Sequence, residues 1–531
     1  MELQRFAWYL VLASLGALPL ACGSDPVEIS ADAGGAPSAA PEPSESTPAP
    51  RPSQTPPPPP LPDAGPEEPE TVHVEEDREL RGLWVAVVGN LDFPGPNRAP
   101  AAARARLEKI VDTAARAGLN AIFFHVRPES DALYRSTREP WSRELTGTQG
   151  NDPGYDPLGI LLELAHARGI EVHAWVNPYR AVANKDNPVV AGHVAKVLSQ
   201  AAITYGSSIV MDPGAPEVRT WVLGVVDDLL AHYAVDGLHY DDYFYPYPGA
   251  TPFPDDRTYN AYVAGGGQLP RKLWRVENVN AMVRETGELV KVKYPTVRFG
   301  ISPFGVFRPD PALGITGLDA YDALGCDAPR WLAEGWTDYV APQLYWPTTK
   351  PGQAFGTLAS FWARQATPET QIFLGQALYL VGTEPSWSFD ELATQVAIGR
   401  GLRASGVRAV GGNIFFRAAN LEAAGRVEQF ATRLFPRPAL SPALPRIARL
   451  IGDPDPPTVL ALDAEAVQIE PEAVAPEFRA LYAQSETGAR WELVQVVPGE
   501  ALEVALPGPG VFALSNVAAG SVESRAVVLR P

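Results

Sequence analysis

The chain has 531 residues, 46% of them hydrophobic, and a formal net charge of −19; that is enough for a large core and for more than one domain. Lysine and arginine number 43 against 62 acidic residues, and no basic stripe is present to neutralise phosphates, which argues against a nucleic-acid partner. Part of the acidity lies in an N-terminal tail, where it solvates a spacer.

Residues 1–22 read as an export signal. Arg5 and the α-amino group precede an apolar run from Phe6 to Ala21, which is short for a membrane span. The run ends in Leu20-Ala21-Cys22. This resembles a bacterial lipoprotein box with Cys22 as the lipidated residue, although Pro19 stands where such boxes usually carry leucine. An ordinary cleaved signal is the alternative. Gly23 follows the cysteine, so the expected location is the cell envelope, lipid-anchored and facing the periplasm, with a lean towards the outer membrane. The other cysteine, Cys326, reads as a small buried apolar residue, so no disulfide forms if Cys22 is modified. Residues 23–78 are rich in Pro, Ala, Ser and Glu, with five consecutive prolines at 56–60. Such a composition buries too little surface to order itself and makes an extended, semi-rigid spacer.

From Glu79 the pattern becomes a strict alternation of strand and helix. LRGLWVAVV (80–88) precedes a helix over 100–117 that Gly118 stops. LNAIFFHV (119–126) precedes a helix over 157–168 closed by Gly169, and IEVHAWV (170–176) one over 216–233 with proline in its first turn. VDGLHYDDYFY (235–245) is next, then a helix over 271–293. VRFGIS (297–302), DYVAPQLY (338–345), QIFLGQALY (371–379) and VRAVGGNIFF (407–416) follow, each with its own helix, the last ending near Leu434. Eight such units over residues 79–435 predict a (β/α)8, TIM-like barrel. Apolar runs without clean alternation fit parallel strands buried on both faces. The loops after strands two to five are long and aromatic, which marks the rim where a site is built. Residues 436–457 form a Pro-rich linker. Residues 458–531 read as short β-prone runs about a dozen residues apart, a small β-sandwich-like accessory domain.

In the fourth strand, alternation sends His239 and Asp241 to one face and Leu238, Tyr240 and Asp242 to the other. Other strand ends add a consistent set. Strand one supplies Trp84. Strand two supplies His125, Arg127, Glu129 and Asp131, with Tyr134 and Trp141 in its loop. Strand three supplies His173, Trp175, Asn177, Tyr179 and Arg180. Strand four adds Tyr243 to its aspartates, and later strands add Ser302 and Arg308, then Gln343, Tyr345 and Trp346, then Arg417. Aromatic faces pack on the C–H faces of pyranoses while amides, guanidinium and carboxylates bind hydroxyls, so the set points to a sugar site.

The pieces RGLW (81–84), FFHVRPESDALY (123–134), PWS (140–142), GYDPL (154–158), HAWVNPYR (173–180), DGLHYDDYFYPYP (236–248), GISPFGVFR (300–308), DYVAPQLYWP (338–347) and IFFR (414–417) occur in this order. Together they resemble the glycosyl-hydrolase-like family 10 lipoproteins, over roughly Glu79 to Leu434. The resemblance implies a barrel fold and a glycoside hydrolase of the bacterial envelope. For one branch it implies hydrolysis of peptidoglycan glycan strands stripped of stem peptides. No cofactor is implied. The chain departs from the family at His125, where relatives often carry Gln, and has His239 where relatives vary.

Glycoside hydrolysis usually needs two carboxyl groups at the scissile bond. Asp241 is the first candidate, because Asp236, Gly237 and Asp241 form a DG-x-x-x-D pattern resembling strand four of amylase-like barrels, where the last aspartate is the nucleophile. Asp242 is its candidate partner. Adjacent carboxylates also occur in substrate-assisted hexosaminidases, where one orients the acetamido group and its neighbour protonates the leaving oxygen. Glu129 and Asp131 are the alternative acids. A chitinase-like site is disfavoured because Tyr243 stands where such barrels carry glutamate. A metal site built on His125, His173 and His239 with Asp241 is a lesser alternative without an H-x-x-E-H-type motif. A non-catalytic glycan-binding lipoprotein is another.

Overall fold

The structure is a computed structural model and describes residues 69–74, 78–406 and 410–531. The export signal, Cys22 and most of the spacer lie outside the described residues. Eight parallel strands close a barrel in sequence order. They are β1 (Leu80–Val85), β2 (Ala121–Arg127), β3 (Glu171–Val176), β4 (Gly237–Tyr240), β5 (Arg298–Ile301), β6 (Tyr339–Val340), β7 (Gln371–Gln376) and β8 (Val410–Phe416). The helices between them include α1 (Pro100–Arg116), α2 (Pro157–His166), α3 (Pro216–His232) and α4 (Arg271–Lys293). Proline opens the first three, where its missing N–H costs no hydrogen bond.

Alternation along the strands divides two cores. Leu83, Val85, Ile122, Phe124, Val172, Leu238 and Phe299 join the large cluster under the helices. Leu80, Trp84, Phe123, Trp175, Tyr339, Phe373 and Ile414 fill the barrel interior. Most strands are shorter than their apolar runs suggest. β6 is two residues long, and its sequel pairs through isolated bridges at Gln343. The helix expected after the fifth strand is two pieces, Ala320–Leu324 and Ala328–Ala333, because Gly325 turns left-handed between them (φ 71°).

Two elements go beyond the sequence reading. A three-stranded antiparallel sheet (Arg180–Val182, Ala202–Tyr205, Ser208–Met211) is inserted after β3, and a helix at Asp256–Ala264 follows β4. The hairpin signal was Gly206-Ser207 between two β-prone runs, a two-residue turn.

The C-terminal residues form two antiparallel sheets. One, of six strands, includes Phe478–Gln484, Trp491–Pro498, Phe512–Ala518 and Ala526–Leu529; the other has three, Val459–Leu462, Ala466–Ile469 and Glu503–Ala505. Val467, Ile469 and Val504 pack on Leu481, Leu514 and Val527, which makes the pair a sandwich. Thr71–Val72, within the stretch expected to be spacer, pairs with Ala526–Val527 and adds an edge strand. Two β-branched residues suit that edge better than the Pro-rich chain before it. A helix, Pro445–Ile451, lies inside the expected linker. The sandwich meets the barrel where the strands begin: Ser521 donates to Glu171 at the start of β3 (2.8 Å) and receives from Arg298 at the start of β5 (3.0 Å).

Candidate active site

Parallel strands bring all eight carboxyl ends to one rim. At that rim β4 ends with Tyr240, and Asp241 and Asp242 follow, each only 3% exposed. Asp241 keeps the interior direction of His239. Asp242 does not take the opposite direction that continued alternation predicts, because the strand has ended and the chain turns. Its Oδ2 accepts from Tyr247, and Gln343, on the sequel to β6, also donates to it.

Asn177, beyond β3, organises the Asp241 side. Its Nδ2 donates to Asp241 Oδ2, while its Oδ1 receives Arg180 and His125 Nε2 (2.6 Å). Two donors on one oxygen set the amide orientation and put the His125 proton on Nε2. Burial, then Arg180, hold His125 well below the usual imidazole range, so the ring is neutral. Trp175 stacks on it with centroids 3.9 Å apart and planes within 6°, and its indole N–H points at Asp241 Oδ2 (3.3 Å). Tyr243 N–H donates to Asp241 Oδ1 (3.1 Å). Arg180, carried on the first strand of the inserted sheet, lies 5.0 Å from the Tyr243 ring centre.

Two carboxyl groups this close and this buried do not both ionise easily. Burial, then the charge of Asp242, push Asp241 up to about 7, against the pull of Arg180. Asp242 is also raised by burial, with Tyr247 and Gln343 holding it back. The pair therefore shares a proton near neutrality.

Aromatic rings surround the pair. Tyr243 meets Tyr247 edge-on (5.8 Å), Tyr247 meets Phe304 (6.0 Å), and Phe304 meets Trp346 (5.6 Å). Tyr345, whose hydroxyl feels the Asp242 charge, lies 6.1 Å from Phe416 and 5.9 Å from Tyr379. Tyr247, Phe304, Tyr379 and Phe416 were not among the candidates. Three of them lie within or beside the motifs of the sequence reading, and the signal was an aromatic at a strand end.

Several candidates sit elsewhere. Arg127 is fully enclosed and grips Glu139 with two bonds (2.7 and 2.6 Å) while donating to the Asn177 carbonyl; it braces the β3 end. Glu129 is tied to Ala183 N–H and to Arg143 (3.5 Å), and Asp131 to Gln149 (3.0 Å). Both carboxyls are raised, mainly by burial, and neither shares a hydrogen-bond partner with Asp241 or Asp242 among the bonds described. Tyr134 and Tyr179 are buried in the outer core, and Trp141 packs against it. Arg308 pairs with Asp319 (3.2 Å) and lines a shallow surface cavity of ≈520 Å³ with Phe307 and Phe361. Arg417 is salt-bridged to Asp92 (2.6 Å). Trp84, His173, His239 and Ser302 lie inside the barrel beneath the pair. Among the described residues no group of three or more His, Cys, Asp or Glu is placed to hold a metal ion; His125 faces Asn177, while His173 and His239 share Tyr339.

Glycosyl hydrolase YngK of Bacillus subtilis is 36% identical to this chain over 395 residues, 71% of this chain and 76% of that protein. Glycosyl hydrolase DigH of Escherichia coli K12 is 35% identical over 388 residues, 67% of this chain and 86% of that protein. Among solved structures, the PgaB (BpsB) glycoside hydrolase domain from Bordetella bronchiseptica aligns with 67% of this chain and 99% of that domain at 13% identity and a TM-score of 0.44; no residue role is carried over from it. The family model described as glycosyl hydrolase-like 10 matches residues 79–390, and the chain belongs to that family.

Proposed function

We propose that the protein is a glycoside hydrolase of the bacterial cell envelope that cleaves peptidoglycan glycan strands. Asp241 is the proton donor and Asp242 the carboxylate working beside it. The observation that carries this reading is the buried, mutually repelling aspartate pair at the barrel mouth, one member pushed up to about 7. A carboxyl group that keeps its proton near neutral pH is suited to protonating a leaving glycosidic oxygen. Family membership and two relatives named as glycosyl hydrolases support the reaction class. The rings of Tyr243, Tyr345 and Trp346 supply faces for sugars.

Adjacent residues approach a bond from one side, whereas an acid and a protein nucleophile flank it. The pair therefore suits a substrate that brings its own nucleophile. Asp241 gives its proton to the departing oxygen, and Asp242 accepts the N–H of a 2-acetamido group. The carbonyl oxygen of that group bonds to the anomeric carbon as the C–O bond breaks. Both sugars of a peptidoglycan strand carry that group.

The test is incubation of the purified protein with denuded and with peptide-bearing peptidoglycan strands, followed by mass analysis. Short saccharides from denuded strands are expected. Absence of products from both would overturn the reading.

A further inference from the structure

The interior of this barrel holds a polar column where apolar layers are the rule. Its partners are almost wholly excluded from water: His173, His239 and Tyr339 are 0% exposed, Trp84 and Ser302 2%, Glu171 5%. Trp84 Nε1 lies 3.2 Å from His239 Nε2, and Ser302 Oγ 3.0 Å from the same nitrogen. His239 Nδ1 is 3.1 Å from Tyr339 Oη, which is 2.9 Å from His173 Nδ1. His173 Nε2 is 3.4 Å from Glu171, whose other oxygen receives Ser521 of the C-terminal domain.

Donor and acceptor chemistry allows the column one arrangement of protons. Indole N–H only donates, so His239 Nε2 accepts and its proton is on Nδ1. That N–H donates to Tyr339, whose single O–H must then go to His173 Nδ1, leaving His173 Nε2–H for Glu171. Burial keeps His239 well below the usual imidazole range and hence neutral. Burial opposes charge on Glu171, but the Arg298 charge and hydrogen bonds from His173 and Ser521 hold it down to about 2. The strands have made room for these groups. A Cβ at Gly237 would meet His173 at 2.2 Å, and one at Gly300 would meet the Tyr339 ring at 2.1 Å. At the upper end the Ser302 carbonyl accepts from Gln343 (3.1 Å), which donates to Asp242.

We propose that Tyr339, His239 and Ser521 are positioning residues for the hydrolase, one hydrogen-bonded column carrying the C-terminal domain's hold on Glu171 up to Gln343 and Asp242. The inference rests on Asp242 being a working carboxylate. The sandwich is thereby part of the enzyme rather than an appendage. Asp242 itself faces Asp241, Arg180, Tyr243, Tyr247, Cys326, Gln343 and Tyr345, so loosening Gln343 changes how readily it ionises.

The test compares Tyr339→Phe, Ser521→Ala and the double variant in the full chain. Each single change is expected to lower kcat roughly 2- to 30-fold, to leave KM unchanged, and to move a limb of the pH profile. The double variant should lose less than the product of the two, because both cut one chain. Unchanged kcat and pH limbs, or strictly multiplicative losses, would overturn the proposal. Ring-nitrogen NMR of the histidines separates this from the activity itself. The native protein should show His239 protonated on Nδ1 and His173 on Nε2, and Tyr339→Phe should disturb both. Reversed tautomers refute the column whether or not glycan is cleaved. Absence of cleavage with the expected tautomers refutes the hydrolase reading alone.

Discussion

In the proposed mechanism Asp241 is the residue on which the chemistry turns, and its burial sets opposing demands. A carboxyl group whose folded pKa is raised binds its proton more tightly in the native state, so stability is lost as pH rises from the unfolded value towards the folded one. The native chain is therefore strained by Asp241 above about pH 7 and not below pH 4. Asp241→Asn should raise the thermal midpoint at pH 8 and leave it nearly unchanged at pH 4; an equal shift at both would show that the side chain acts by shape alone. The same group predicts the basic limb of activity. An acid that must carry its proton fails as pH climbs past about 7. In Asp242→Asn the neighbouring charge that raises Asp241 is gone, so any residual activity should fall off at lower pH, which a pH–rate profile measures. The aspartate pair was legible in the sequence because two carboxyl groups in an apolar run are conspicuous. The partners of Arg127, Glu129 and Asp131 were not. Whether a charged side chain at a strand end faces substrate or a brace depends on partners such as Glu139, Arg143 and Gln149, and their approach is decided by loop folding.

The strands and helices were largely visible because Pro and Gly punctuate them, and α4 matches its sequence bounds. What escaped were the inserted sheet after β3 and the shortness of β4 and β6. Apolar runs continue past the last ladder hydrogen bond when the following loop is itself buried, so hydrophobicity alone does not mark the strand end. The inserted sheet has a direct use: it fixes Arg180 against Asn177 and Tyr243. Beneath it, Arg127 and Glu139 form a water-excluded pair (2.6 Å) with Trp221 as a further donor (2.9 Å). Breaking a buried pair by removing one charge costs about 3–5 kcal/mol. Glu139→Gln should reduce unfolding free energy by about that much in a urea titration, with the midpoint falling and the slope unchanged. A loss under 1 kcal/mol would mean that the loop re-solvates Arg127 at little cost.

The whole molecule places its candidate site and its C-terminal sandwich at opposite ends of one barrel. The mouth carries the aspartates and the aromatic rings, while the sandwich meets the strand starts through Ser521, Glu171 and Arg298. The all-β character of the C-terminal residues was visible in their turn spacing. Its docking was not, because a serine in a loop and a glutamate at a strand start announce no partner. Upstream, we propose from Leu20-Ala21-Cys22 that the chain is lipid-anchored at Cys22, so that Cys22→Ser should move the protein from the membrane fraction to the soluble one; unchanged fractionation would refute lipidation. The central claim is that Asp241 and Asp242 perform glycan cleavage, and single-turnover rates of Asp241→Asn and Asp242→Asn on denuded strands test it most directly. General acid–base catalysis contributes about 100- to 10,000-fold, so both folded variants should lose at least the lower figure, Asp241→Asn the more. Cleavage by both at rates within a few-fold of the native enzyme would contradict the account and turn attention to Glu129 and Asp131.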